Sequence, residues 1–254
     1  MTATELANDV FADEVVTRAH VRFLAVPGID GEVALVTLDN GHDHTRPSTF
    51  GPAGLASLDA ALDQVATHQP PVAAIAVTGK PFVFAVGADV TGIPRITDRD
   101  TALAIARAGH RVFGRLRDST VPTFAFVNGA VMGGGLELAL HCHYRTLSGS
   151  AAAIAFPECF LGLVPGWGGT QLLPNLIGAD RAVSVIIDNA LNNNRMLRPA
   201  QAHQLGIADV LLDAADFLEE SLRWAGRVLR GEIPVRRAEV DRGPAWDEAV
   251  NRGR

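Results

Sequence analysis

Residues Phe126–Thr170 read FVNGAVMGGGLELALHCHYRTLSGSAAAIAFPECFLGLVPGWGGT, and the rest of the chain is organised around them. Two glycine-rich turns and two glutamates, Glu137 and Glu158, sit in a largely apolar setting. A carboxylate in such company costs free energy unless it is paired, protonated or wetted, so its presence asks for a reason. A buried strand, the turn Gly133-Gly134-Gly135 and the helical run LELALHC place several free N–H groups at one helix N-terminus. Such a terminus favours negative charge, on an anion or on an oxygen that becomes charged during reaction. The GxGxxG spacing of a dinucleotide site is missing. Taken singly, each feature has a plain alternative: a tight turn for the glycines, a helix-dipole partner for Glu137, a loop residue facing water for Glu158.

Working outward, residues 20–26 and 32–38 are β-rich runs separated by Pro27-Gly28-Ile29-Asp30-Gly31, the signature of an antiparallel hairpin. A polar loop, Asp39 to Gly51, holds His42, His44, Arg46 and Pro47. Leu55, Leu58, Leu62 and Val65 recur at helical spacing, and Pro70-Pro71 stop that helix. Val72–Val77 and Pro122–Val127 are continuous apolar runs expected to be strands covered on both faces. FVFAVGAD predicts a strand entering a turn at Gly87, and residues 99–116 return to helical spacing. The order ββ-α-β-α-β belongs to the mixed α/β class. Beyond the central stretch, Gly168–Leu176 and Ala179–Asp188 predict two short helices broken by Gly178. Ala214–Arg230 predicts an amphipathic helix with Leu218, Leu222, Ala225 and Leu229 on one face. The last stretch is charged and broken by Pro234 and Pro244.

The apolar fraction of 48%, the charged fraction of 20% and the net charge of −6 describe an ordinary globular protein and give no support to a nucleic-acid partner. Two cysteines, Cys142 and Cys159, exclude a disulfide framework and fit a reducing compartment. The first twenty residues lack the apolar segment of a secretory signal, and no apolar run reaches the length of a membrane span. A cytoplasmic protein is expected. His141-x-His143 suggests no metal site, because residues two apart on a helix do not face together.

In combination, FAVGAD at 84–89, NGAVMGGGLELAL and FPECFLGLVPGWGGT resemble the enoyl-CoA hydratase/isomerase family, the crotonases, over residues 20 to 230. The resemblance implies a spiral of repeated ββα units with a C-terminal helical region that covers the site and mediates trimers. The expected organisation is an N-terminal extension over 1–19, the spiral core over 20–195 and the helical region over 196–254. It implies that Glu137 and Glu158 are the catalytic pair, that Val86 and Gly134 supply the oxyanion-hole N–H groups, and that Gly166 places the attacking water. Ala88, Asp89 and Trp167 are implied as substrate-binding. The expected partner is an acyl-CoA thioester, with no metal or cofactor, in a homotrimer or hexamer.

Retention of both glutamates favours a hydratase acting on trans-2-enoyl-CoA. The alternatives are a 3-enoyl-CoA isomerase, which needs one proton shuttle, and an acyl-CoA-binding module without turnover. Two positions depart from the family pattern: Val86 stands where alanine is common, and DNGHDHTRPSTFG replaces the usual segment near the CoA. In that loop Arg46 is a candidate for a CoA phosphate, with a solvated arginine as the equal alternative. The ending RGEIPVRRAEVDRGPAWDEAVNRGR resembles the hydratase part of multifunctional fatty-acid oxidation enzymes.

Overall fold

Strand β1 (Arg18–Ala25) pairs antiparallel with β2 (Glu32–Asp39), from Arg18 opposite Asp39 to Ala25 opposite Glu32, so the expected hairpin is present. The structure is a computed structural model that describes residues 10–253. Of the N-terminal extension expected over 1–19, residues 1–9 therefore lie outside the described residues. Helix α1 (Pro52–Ala66) begins with proline, where the missing N–H would have had no intrahelical partner. Then come β3 (Ala74–Gly79), β4 (Val83–Val86), a 3-10 turn over Val90–Arg95, and α2 (Arg99–Arg117), capped by the Asp98 carboxylate accepting from the Thr101 N–H. Next are β5 (Thr123–Val127), β6 (Ala130–Met132), α3 (Gly134–His141), β7 (Tyr144–Ser148) and β8 (Ile154–Ala155). A 3-10 turn over Glu158–Leu161 leads to α4 (Gly169–Ile177) and α5 (Ala179–Val183), which continues through a π-helical stretch over Ser184–Asp188. The chain ends with α6 (Pro199–Leu205), β9 (Val210–Leu212), α7 (Phe217–Leu229) and α8 (Pro244–Arg252).

The strands form two sheets. One has the order β1-β2-β3-β5-β7-β9 and the other β4-β6-β8. Every pairing except β1 with β2 is parallel. Each of three successive passes therefore lays one strand in the large sheet and the next in the small one before a helix or 3-10 turn: β3 then β4, β5 then β6, β7 then β8. This is the spiral of ββα units implied by the resemblance; beside the ββ-α-β-α-β order it places β4 after β3 and adds β6, β7, β8 and β9 among the described residues.

Alternation along the large sheet explains its two apolar faces. Ala34, Val36, Ile75, Val77, Ala125 and Val127 join the inner core between sheets and helices. Val33, Leu35, Ala74, Ala76, Phe124 and Phe126 face outward into a second cluster. Helix α7 closes that cluster with Phe217, Trp224 and Ala225. Of the expected face, Leu222, Ala225 and Leu229 pack on this cluster, while Leu218 is 41% exposed and Phe217 and Trp224 take the contact instead.

The described part of the N-terminal extension packs onto the body. The Glu14 carboxylate accepts from the N–H groups of Gly51, Ala53 and Gly54 at 3.1, 3.0 and 2.8 Å, capping α1 from outside. Phe11 is buried against Gly92 in the first 3-10 turn.

Candidate active site

Parallel neighbours deliver their C-terminal ends to the same place. In the small sheet Val86 at the end of β4 pairs with Met132 at the end of β6. The segment Val86-Gly87-Ala88-Asp89 therefore runs beside the turn Gly133-Gly134-Gly135. A Cβ on Gly134 would lie 3.5 Å from the Ala88 nitrogen, so the two backbones are close neighbours.

The hydrogen-bond directions bear on the expected donor pair. The Val86 N–H donates to the Ser48 carbonyl at 2.8 Å and the Asp89 N–H to the Phe50 carbonyl at 2.9 Å. Gly87, between Val86 and Ala88, has φ +68°, which breaks the extended run and turns the next N–H away from this loop. Val86 thus faces the loop at 48–50, and its N–H is already engaged. The N–H groups of Ala88 and Gly134 donate to no acceptor among the described residues, and both line the same cavity. Among the described residues the unengaged N–H pair on this cavity is Ala88 with Gly134, whereas the expected pair was Val86 with Gly134.

Glu137 lies in the first turn of α3 and is 2% exposed. Its Oε1 accepts from the Trp167 N–H at 2.7 Å and the Gly169 N–H at 2.8 Å, which leaves Oε2. Burial pushes its pKa up to about 7, against the lowering influence of the Gly169 and Trp167 N–H groups. Glu158 opens the second 3-10 turn and reaches back to the glycine turn: its Oε1 lies 2.7 Å from where a Cβ on Gly133 would stand. Gly133 has φ +51°, so the close approach and the backbone conformation both require glycine. Glu158 Oε2 is buried and has no partner among the described residues. Burial raises the Glu158 pKa to about 8; its own backbone N–H opposes this, and the Glu137 charge adds to it.

Both carboxylates face a cavity of about 980 Å³, at the upper end of the usual range for small-molecule sites. Its walls are mostly apolar and include Phe50, Leu55, Ile93, Ile105 and Val164. Trp167 is buried at the wall, its indole N–H donating to the Ile105 carbonyl at 3.2 Å and its ring edge-on to Phe113. A Cβ on Gly109 or Gly134 would come within 2.2 or 2.5 Å of that indole, so the two glycines make its seat. Gly166 is exposed and Ala88 partly buried on the same cavity. Asp89 also lines it, but its Oδ1 is occupied by the Thr91 N–H and hydroxyl at 2.9 and 2.6 Å, where it caps the 3-10 turn.

Two contributors were not singled out in the sequence. Phe11, from the N-terminal segment, forms part of the cavity wall. Lys80 is buried, with its three-donor ammonium shared among four acceptors at 2.5–2.8 Å, Asn40 Oδ1 and the carbonyls of His42, Asp43 and Arg46. It orders the polar loop whose continuation, Ser48–Phe50, aligns the Val86–Asp89 segment. The sequence signal was a lysine in a Gly-Lys-Pro turn between two buried strands. Arg46 is exposed on that loop. His141 and His143 bond to different partners, His141 to the Trp167 carbonyl and His143 to Thr123 and the Arg117 carbonyl, as their spacing requires. Among the described residues no helix is long and apolar enough to cross a membrane.

A family model described as enoyl-CoA hydratase/isomerase matches residues 28–239. The chain belongs to this family. Family relatives include the fatty acid oxidation complex subunit alpha of Shewanella frigidimarina, 30% identical over 215 residues, covering 84% of this chain and 29% of that one. The corresponding subunit of Shewanella amazonensis is 33% identical over 199 residues, covering 77% and 27%. The chain thus spans less than a third of the length of these relatives. Among solved structures, DspI of Pseudomonas aeruginosa is 30% identical with a TM-score of 0.70, covering 84% of this chain and 80% of that one. An enoyl-CoA hydratase from Bacillus anthracis superposes with a TM-score of 0.69 at 22% identity, covering 84% and 76%, a likeness of fold. The crotonase fold expected for the chain is the fold it has.

Proposed function

We propose that this chain is an enoyl-CoA hydratase that adds water syn across a trans-2-enoyl-CoA to give a (3S)-3-hydroxyacyl-CoA. The observation that carries this reading is the pairing, on one apolar cavity, of two carboxylates with raised pKa values and two unengaged backbone N–H groups.

The thioester oxygen, held between the Ala88 and Gly134 N–H groups, gains negative charge as water attacks C3. Donors aimed at an oxygen that becomes charged bind the transition state more tightly than the substrate, by about 3–4 kcal/mol each. Glu137, with Oε1 tied to the backbone, offers Oε2 to the water and takes its proton. Glu158, whose acid form persists to a higher pH, gives its proton to C2. The C3–O bond forms as the C2–C3 π bond breaks, and the two carboxylates then exchange protons with solvent. Water is the only co-reactant, so this chemistry calls for no redox group. Membership of the family and the likeness to fatty acid oxidation alpha subunits support a place in fatty-acid β-oxidation, as the hydratase portion of a larger enzyme.

The reading fixes the pH dependence. Glu137 works as the carboxylate, so kcat/KM for hydration rises as pH passes about 7; Glu158 works as the acid, so kcat/KM falls as pH passes about 8. The pair titrates together, and the two limbs are apparent values of the dyad. The expected result with crotonyl-CoA is a narrow bell with its maximum between those limbs. Turnover of a 3-enoyl-CoA should be at least about tenfold slower, because isomerisation uses one shuttle and leaves the second carboxylate idle. A flat profile, or faster turnover of the 3-enoyl substrate, would favour the isomerase.

A further inference from the structure

Glu137 and His141 stand one turn apart on α3 and grip the same residue of the glycine-rich loop from its two polar groups. The Trp167 N–H donates to Glu137 Oε1 at 2.7 Å, and the Trp167 carbonyl accepts from His141 Nε2 at 2.9 Å. The Gly169 N–H completes the hold on Glu137 at 2.8 Å. Two N–H groups at 167 and 169 reach one oxygen only if the chain curls between them, making a small anion-binding nest. Gly168 supplies the curl with φ +120°, and a Cβ there would come within 2.9 Å of His141 Nε2.

His141 is 1% exposed, and its Nδ1 has no partner among the described residues. A carbonyl only accepts, so Nε2 carries the proton and the bond to Trp167 is the ring's single polar tie. Burial holds the imidazole below its ordinary pKa, opposed by the Trp167 carbonyl; Arg117, His110 and Asp118 are the charged or titratable groups that act on it. A half-satisfied buried imidazole costs stability where an apolar side chain would pack freely. The cost falls at a position on α3 from which a donor reaches the loop that fixes Glu137.

We propose that His141 is a positioning residue for Glu137: its Nε2–H holds the Trp167 carbonyl, so that the Trp167 and Gly169 N–H groups keep Oε1 in place and leave Oε2 to the water. The catalytic part of this rests on the reading of Glu137 as the base; the structural part does not. The test pairs His141→Met, which fills the volume without a donor, with His141→Gln, which restores an amide donor at similar reach. Glu137 is titrated in the free protein by NMR with isotope-labelled glutamate, its signal assigned by Glu137→Gln, and kcat and KM are measured on crotonyl-CoA.

The His141→Met variant should raise the Glu137 midpoint by about one pH unit, because loosened N–H donors no longer lower it. It should reduce kcat about tenfold with KM changed less than about twofold, as expected for a misplaced base. The His141→Gln variant should recover most of both. An unchanged midpoint in His141→Met, or equal losses in the two variants, would overturn the proposal. A shifted midpoint in a chain whose wild type turns over no enoyl-CoA would support the clamp and overturn only the hydratase assignment.

Discussion

Glu158→Gln is expected to lower kcat for crotonyl-CoA hydration about 10²–10⁴-fold, the usual contribution of a positioned acid. The amide keeps the volume of the side chain and removes the proton that C2 needs. KM should move less than about threefold, since Glu158 acts in the transition state and the thioester grip at Ala88 and Gly134 is intact. Glu137→Gln should give a loss of similar size, and the double variant should fall little further, because base and acid serve one step. Near-normal turnover in both single variants would sink the mechanism.

A stability measurement separates this loss from unfolding. The folded-state pKa of Glu158, about 8, lies above the ordinary carboxylate value of 4.5. Between those values the unfolded chain releases the proton and the folded chain keeps it. Wild-type stability therefore falls as pH rises through this window and levels off above about 8. Glutamine does not titrate, so at about pH 9 Glu158→Gln should be more stable than wild type, by on the order of 2 kcal/mol after allowance for the partly exposed side chain. A variant that is more stable and inactive has lost chemistry, not structure.

The second large effect concerns the oxyanion donors. Replacing the Ala88 amide with an ester, by incorporating lactic acid, deletes one N–H and leaves the side chain alone. This should cost about 10²–10³-fold in kcat. The corresponding ester at Val86, made with 2-hydroxyisovaleric acid, keeps the side chain and deletes the donor to the Ser48 carbonyl. It should leave kcat within a few-fold and cost about 1 kcal/mol of stability, the net worth of one hydrogen bond. The opposite pattern would return the role to Val86.

The engagement of the Val86 N–H by a distant loop shows where the sequence was legible and where it was not. Helical spacing reveals α1 and α2, continuous apolar runs reveal β3 and β5, and two β-rich runs about a Pro-Gly turn reveal the hairpin. No such signal marks β6 and β8, of three and two residues, which are too short to carry one. None marks β7, because its buried residues are polar. Arg145 is 3% exposed, donates to the Cys142 and Ile207 carbonyls and lies 3.7 Å from Asp209, and Thr146 bonds to Ser221 at 2.8 Å. Such satisfaction depends on partners far along the chain.

The site divides in the same way. Glu137, Glu158 and Gly134 stand out because a carboxylate in an apolar stretch and a glycine turn before a helix are local signals. The choice between Val86 and Ala88 is not local. It depends on which N–H meets Ser48, and that is settled by a loop ordered around Lys80. His141 reads as a packing histidine until the Trp167 carbonyl is found beside it. The N-terminal segment carries no motif, yet Glu14 and Phe11 bind the start of α1 and the cavity wall.

The most direct test of the central claim is one reaction of the wild-type protein with crotonyl-CoA in isotopically labelled water. The account predicts a 3-hydroxyacyl-CoA carrying one solvent oxygen on C3 and one solvent hydrogen on C2, added to the same face. Recovered substrate with solvent hydrogen exchanged into it and no oxygen label, or bound crotonyl-CoA left unlabelled, would contradict it.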